Sequence, residues 1–119
     1  MLSKTVKIGD REVAFKSSAA IPRMYRIKFG RDIFKDLTRL EKSYKDKTGG
    51  SGEDFEIEDL EIFENVAYIM ALHAYPANTP KTIDDWLDQF EMFSIYEILP
   101  EILELWGSNL FTDVKARKN

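Results

Sequence analysis

Cysteine is absent from this 119-residue chain. That excludes disulfides, thiolate nucleophiles and thiolate metal sites, and it fits a reducing interior. Histidine is nearly absent: His73 stands alone. A single imidazole with no second histidine and no thiolate leaves little for a zinc site or a serine triad. Ser17, Ser18 and Ser43 sit in no Gly-x-Ser-x-Gly turn. His73 lies in the most apolar stretch and reads as a packed or helix-end histidine. Long apolar runs are also missing, none approaching the about 18 residues that cross a bilayer. The opening residues, MLSKTVKIGDREV, place charges where a signal peptide needs its apolar stretch. A cytosolic protein with no membrane partner is therefore expected. Phosphate loops are lacking too, because no Lys-Ser or Lys-Thr follows Gly49-Gly50-Ser51-Gly52. The acidic run Glu53, Asp54, Glu56, Glu58, Asp59 lacks the central glycine of a calcium loop and reads as a solvated helix start. Any two of the many carboxylates could meet in space, but no spacing singles out a pair. No catalytic, cofactor or metal residue is assigned, and the chain is read as a non-enzyme.

What is present is ordinary for a folded domain: 44% hydrophobic and 32% charged residues. That is enough apolar material for one core at this length. The net charge of -4 hides a division. Residues 1–48 carry +7, residues 49–111 carry -13 and residues 112–119 carry +2. Either the two halves pack together and neutralise each other, or they present two faces to different partners.

The local signals predict an α+β fold, mainly α, in which an N-terminal β-hairpin packs on a compact bundle of about four to five helices. Thr5–Ile8 and Glu12–Phe15 are β-favouring runs around Gly9-Asp10, the pattern of a hairpin. Val6 and Ile8 would share a face with Val13 and Phe15. Pro22 suits the first turn of a helix that runs to Phe29, and Gly30 allows a break. Asp32 is an N-cap for a second helix with Ile33, Leu37, Leu40 and Tyr44 inward, Phe34 widening the stripe, and Arg39, Glu41, Lys42 and Lys45 on the wet side. Thr48–Gly52 (TGGSG) reads as a mobile loop at the charge reversal. Glu58–Tyr75 is the strongest helix, with Leu60, Phe63, Ala67, Met70 and Ala74 on one face. Being apolar almost all round from Val66 onward, it should be central. Pro76 ends it. Thr82 caps a helix bearing Trp86, Leu87 and Phe90. Ser94 and Glu97 match a capping box for a last stretch that bends or restarts at Pro100 and ends near Gly107. One domain, 1–119, is expected: hairpin 1–16, basic helices 21–46, loop 47–54, an acidic helical part 57–111 and a loose tail 112–119.

Two clusters are candidates for binding a partner. Arg23, Arg26, Lys28 and Arg31 surround Tyr25 and Phe29. Basic residues with interleaved aromatics can hold nucleic acid, which makes a small nucleic-acid-binding phage or prophage regulator the alternative function. The pI near 5.1 argues against it. In the plainer reading Met24, Ile27 and Phe29 are core and the arginines face the acidic half. The second cluster is Phe90, Met92, Phe93, Ile95 and Tyr96 at a helix junction, mostly core, with methionine and aromatics available as adaptable anchors.

The stretch IPRMYRIKFGRDIFKDL, Ile21 to Leu37, resembles the opening of tail assembly chaperones from long, non-contractile-tailed phages and prophages of Gram-positive bacteria. The likeness continues through FENVAYIMALHA, Phe63 to Ala74, and WLDQFEMFSIYEILPEILELW, Trp86 to Trp106. These are packing motifs, in order over most of the chain. The resemblance implies a protein of the host bacterial cytoplasm that is absent from the mature virion. It implies binding to the tape measure protein, keeping that long helical client soluble while tail tube protein polymerises around it. A frameshifted longer form, which recruits tube subunits, is part of the same implication; self-association is a separate expectation. Arg117-Lys118-Asn119 can be encoded by AGA-AAA-AAC, which contains a slippery heptamer; the nucleotide sequence decides that point. The partner-binding candidates are Arg23, Tyr25, Arg26, Arg31, Phe90, Met92, Phe93 and Tyr96.

Overall fold

The computed structural model describes residues 2–46 and 56–106. The TGGSG loop, the acids Glu53 and Asp54, the helix end at Gly107 and the tail lie outside the described residues, as do the side chains of Leu2 and of residues 44–46.

A positive φ of 61° at Gly9 and a negative one at Asp10 close a two-residue turn. This sign pattern is that of a type II′ turn, whose twist matches the strands it joins. It joins β1 (Leu2–Ile8) to β2 (Arg11–Ser17) as an antiparallel pair, with Val6 opposite Val13 and Lys4 opposite Phe15. Opposed residues share a face. Ile8 and Phe15 are therefore buried together, with Val6 and Val13 half-buried beside them, while Ser3, Thr5 and Lys7 face solvent. The sheet has one wet side and leans its apolar side on the helices.

Helix α1 spans Ala20–Phe29, with Pro22 inside its first turn. It stops at Gly30, which adopts φ 68°, ψ 28° and returns its N–H to the Arg26 carbonyl. This left-handed cap costs a glycine little. Asp32 accepts the Phe34 N–H at 2.9 Å and opens α2 (Ile33–Asp46). Ile33, Leu37 and Leu40 turn inward as the spacing predicts. Phe34 does not belong to that stripe. It is 52% exposed, touching Trp106 along one side.

Helix α3 (Ile57–Ala74) is the centre of the molecule: Ile62, Phe63 and every residue from Val66 to Ala71 are buried. The hairpin, α1 and α2 all pack on it. Its start holds Asp59, a buried carboxylate that accepts the Glu56 N–H and the Arg39 guanidinium. Arg39 is thus no idle wet-side residue; it grips the first turn of α3. Thr82 caps α4 (Ile83–Leu87) by accepting the Asp85 N–H at 3.1 Å. Trp86 then enters the core edge-on to Phe15, Tyr68 and Phe90.

A 3-10 helix, Ser94–Ile98, runs directly into α5, residues 99–106, with Pro100 near the change of pitch. The capping box expected at Ser94 does not form, because Ser94 is itself the first residue of the 3-10 helix. It lies against the hairpin tip instead: a Cβ at Gly9 would come 3.5 Å from its hydroxyl. The architecture is α+β and mainly α, as the periodicities predict.

Candidate functional site

Helix α1 sorts the basic cluster by angle. Ile21 and Tyr25 lie on its buried face, while Arg23, Arg26 and Ile27 share the opposite one, at positions i, i+3 and i+4. Ile27 is 68% exposed, so it is not core. Tyr25 is fully buried and cannot meet a partner at the surface. Its hydroxyl donates to Asp36 Oδ2 at 2.6 Å, and its ring meets Phe29 edge-on. Burial, then the Asp36 carboxylate, pushes the phenol above its ordinary range. Arg31 is engaged as well. It donates twice to Asp36, at 2.7 and 2.9 Å, and approaches Glu58 at 3.6 Å. Only Arg23 and Arg26 of the four candidates from this cluster face solvent without an ion-pair partner among the described residues. The stacking platform a nucleic acid would need is missing here, because Tyr25 is inside and Phe29 is half-buried.

The second cluster divides in the same way. Phe90 packs edge-on to Trp86 at 5.1 Å between ring centroids. Tyr96 packs on Phe63 and donates to Glu64 Oε2 at 2.6 Å. Burial and this bond push its hydroxyl up to about 12. Ile95 is buried. Met92 and Phe93, between these anchors, are 76% and 71% exposed. Asp88, Gln89 and Glu91 flank them in solvent. Among the described residues the exposed large apolar side chains are Ile27, Phe34, Ile57, Tyr75, Met92 and Phe93; within the two candidate clusters, Ile27 stands among arginines and Met92-Phe93 among acids.

Sequence reasoning misplaced two of the exposed apolar residues. Phe34 lies beside a genuine core stripe, and Ile27 lies between Met24 and Phe29, both partly buried. For Ile27 the signal existed: it sits four residues after Arg23, on the arginine face. Tyr75, also exposed, ends α3.

The divided charge is partly spent inside the molecule. Lys4 bridges Glu101 and Glu104 of α5, the latter at 2.9 Å. Arg39 reaches Glu56, Glu58 and Asp59. Packing of the two halves thus neutralises part of the charge, and Arg23 and Arg26 remain outside this network among the described residues.

Two further polar features remain: a histidine–serine contact and an open cleft. His73 Nε2 and Ser18 Oγ are 2.8 Å apart, tying the end of α3 to the corner between β2 and α1. Ser18 also accepts the Ala20 N–H. Burial, and then Lys16, lowers the His73 pKa below its usual value. An open cleft of about 640 Å³ lies beside Gly30, lined by apolar Phe29, Ile83 and Leu87 and by charged Arg31, Glu61, Glu64 and Asp84. Among the described residues no three histidine or acidic side chains are placed to hold a metal ion, and no helix is long and apolar enough to cross a membrane. Compared with protein families, with curated proteins and with solved structures, the chain matches none.

Proposed function

We propose that this protein is a tail assembly chaperone of the type found in long, non-contractile-tailed phages and prophages. It binds the tape measure protein, keeps it soluble in the host cytoplasm and assists tail tube polymerisation without catalysing a reaction. The observation that carries the reading is the exposure of Ile27, Met92 and Phe93 on firmly packed elements, each with a charged rim. A client with a long amphipathic helix needs such apolar footholds bordered by charge. The ordered likeness of Ile21–Leu37, Phe63–Ala74 and Trp86–Trp106 to that family supplies the identity of the client. Tail tube protein, through a longer frameshifted form, is the second proposed partner.

Co-expression with the tape measure protein of the same genome tests this. The client should move from the pellet to the soluble fraction and co-purify with the chaperone. A client that stays insoluble and unbound overturns the proposal.

A further inference from the structure

The chain between Asp88 and Tyr96 is pinned at both ends and pushed out in the middle. Phe90 is held by Trp86, and Tyr96 by Phe63 and Glu64. Between them the Ser94 N–H returns to the Glu91 carbonyl at 3.2 Å, and the Tyr96 N–H returns to Phe93 at 3.2 Å. Ser94 backs onto the hairpin tip. Met92 and Phe93 are therefore presented side by side on a framed turn, and little ordering is left to be done on binding. Their rim is acidic on balance. Asp88 and Glu91 are exposed beside them, and no Lys or Arg occurs from Thr82 to Trp106. The hairpin tip adds Asp10 and Arg11, which leaves that sign unchanged.

We propose that this turn is a docking site for a cationic amphipathic helix of a client protein. Met92 and Phe93 anchor the helix's apolar face, and Asp88 and Glu91 attract its Lys or Arg border. Methionine and phenylalanine together suit an apolar face of variable shape, because the thioether adapts and the ring supplies area. The anionic rim selects against the other macromolecules that bind apolar surface points. It repels the phosphates of nucleic acid and of anionic lipid surfaces, and it repels acidic helices. The proposal rests on the chaperone reading only in taking the partner to be a helical client.

Two synthetic helical peptides with identical leucine spacing test it, one with lysine and one with glutamate on the polar face, titrated into the full chain by fluorescence anisotropy. The lysine peptide should bind at least about tenfold tighter than the glutamate peptide, and its affinity should fall as salt is raised. The double variant Met92→Ser/Phe93→Ser should lose about tenfold or more. Asp88→Lys/Glu91→Lys should weaken the lysine peptide by about tenfold, while Lys35→Gln/Lys42→Gln, at two exposed positions of α2, should leave it within about twofold. Circular dichroism and urea titration of each variant establish that it is folded. Equal affinity for the two peptides, absence of binding, or undiminished lysine-peptide binding by either site variant overturns the docking site. Lysine-peptide binding alongside an insoluble tape measure protein would instead overturn the chaperone reading and keep the docking site.

Discussion

Asp36 is a carboxylate almost out of water that accepts one hydrogen bond from Tyr25 and two from Arg31. Burial works to raise its pKa; the Arg31 and Tyr25 hydrogen bonds, with the charges of Arg31 and Arg39, outweigh burial and hold it below its ordinary value. A carboxylate depressed by folding contributes stability above its unfolded pKa and loses it as pH falls through the folded one. Asp36→Asn should therefore destabilise by about 2–4 kcal/mol at neutral pH, because it leaves a guanidinium and a phenol short of their acceptor. Tyr25→Phe should cost less, about 1–2 kcal/mol. Urea midpoints of the two variants check both, and the Asp36→Asn deficit should shrink in acid. His73 offers a cleaner titration, since it is the sole imidazole of the chain. Folding favours its neutral form, so its stabilising effect is present above the ordinary value of 6.5 and is lost as pH falls through and below that value. Its two ring C–H resonances should titrate together below 6.5 in the native protein. A midpoint at or above that value would contradict the observed burial.

Among the elements, α1 and α4 depend on different devices. Helix α1 ends because Gly30 is left-handed, and a Cβ there would meet nothing within 4 Å. Gly30→Ala should thus cost only the backbone penalty, about 1 kcal/mol, with no repacking. Helix α4 has five residues, too few to persist by propensity. It is held by the Thr82 cap and by Trp86, which touches three aromatic rings in the core. Trp86→Ala should destabilise by about 3–5 kcal/mol and Thr82→Ala by about 1 kcal/mol, both measured by urea unfolding. The short-range devices were legible in the sequence. Gly30, the caps at Asp32 and Thr82, and the hairpin turn at Gly9 each act over a few residues and leave a residue type behind. The expected capping box at Ser94 was equally local in form. Packing against the hairpin tip and the tight 3-10 turn overrode it.

For the molecule as a whole, the two tryptophans report from different regions, Trp86 on α4 and Trp106 on α5. Hairpin, helices and both tryptophans belong to one contiguous buried cluster. Fluorescence and far-UV circular dichroism should then share one urea midpoint. Two separate midpoints would show units that unfold independently. The apolar docking points lie outside that cluster. Met92→Ser/Phe93→Ser should therefore change the unfolding free energy by no more than about 0.5 kcal/mol, so any binding defect in that variant is not a folding defect.

The amino-acid sequence by itself determined the elements, because hydrophobic period, caps and turn glycines are local properties. It determined the alternating faces of the hairpin, the central place of α3 and the division of charge. It also left the chain without thiols and with one imidazole. Only the tertiary structure decided which members of each cluster face outward. Tyr25 and Ile27 are two residues apart, yet one is buried on Asp36 and the other stands in water, because a helix turns about 200° over two residues. Lys4 meets α5 and Arg39 meets Asp59 across long stretches of chain, and no local pattern encodes such partners. The pair Met92-Phe93 became a surface feature for the same reason. Its neighbours Phe90 and Tyr96 found aromatic partners on other elements and left the residues between them outside.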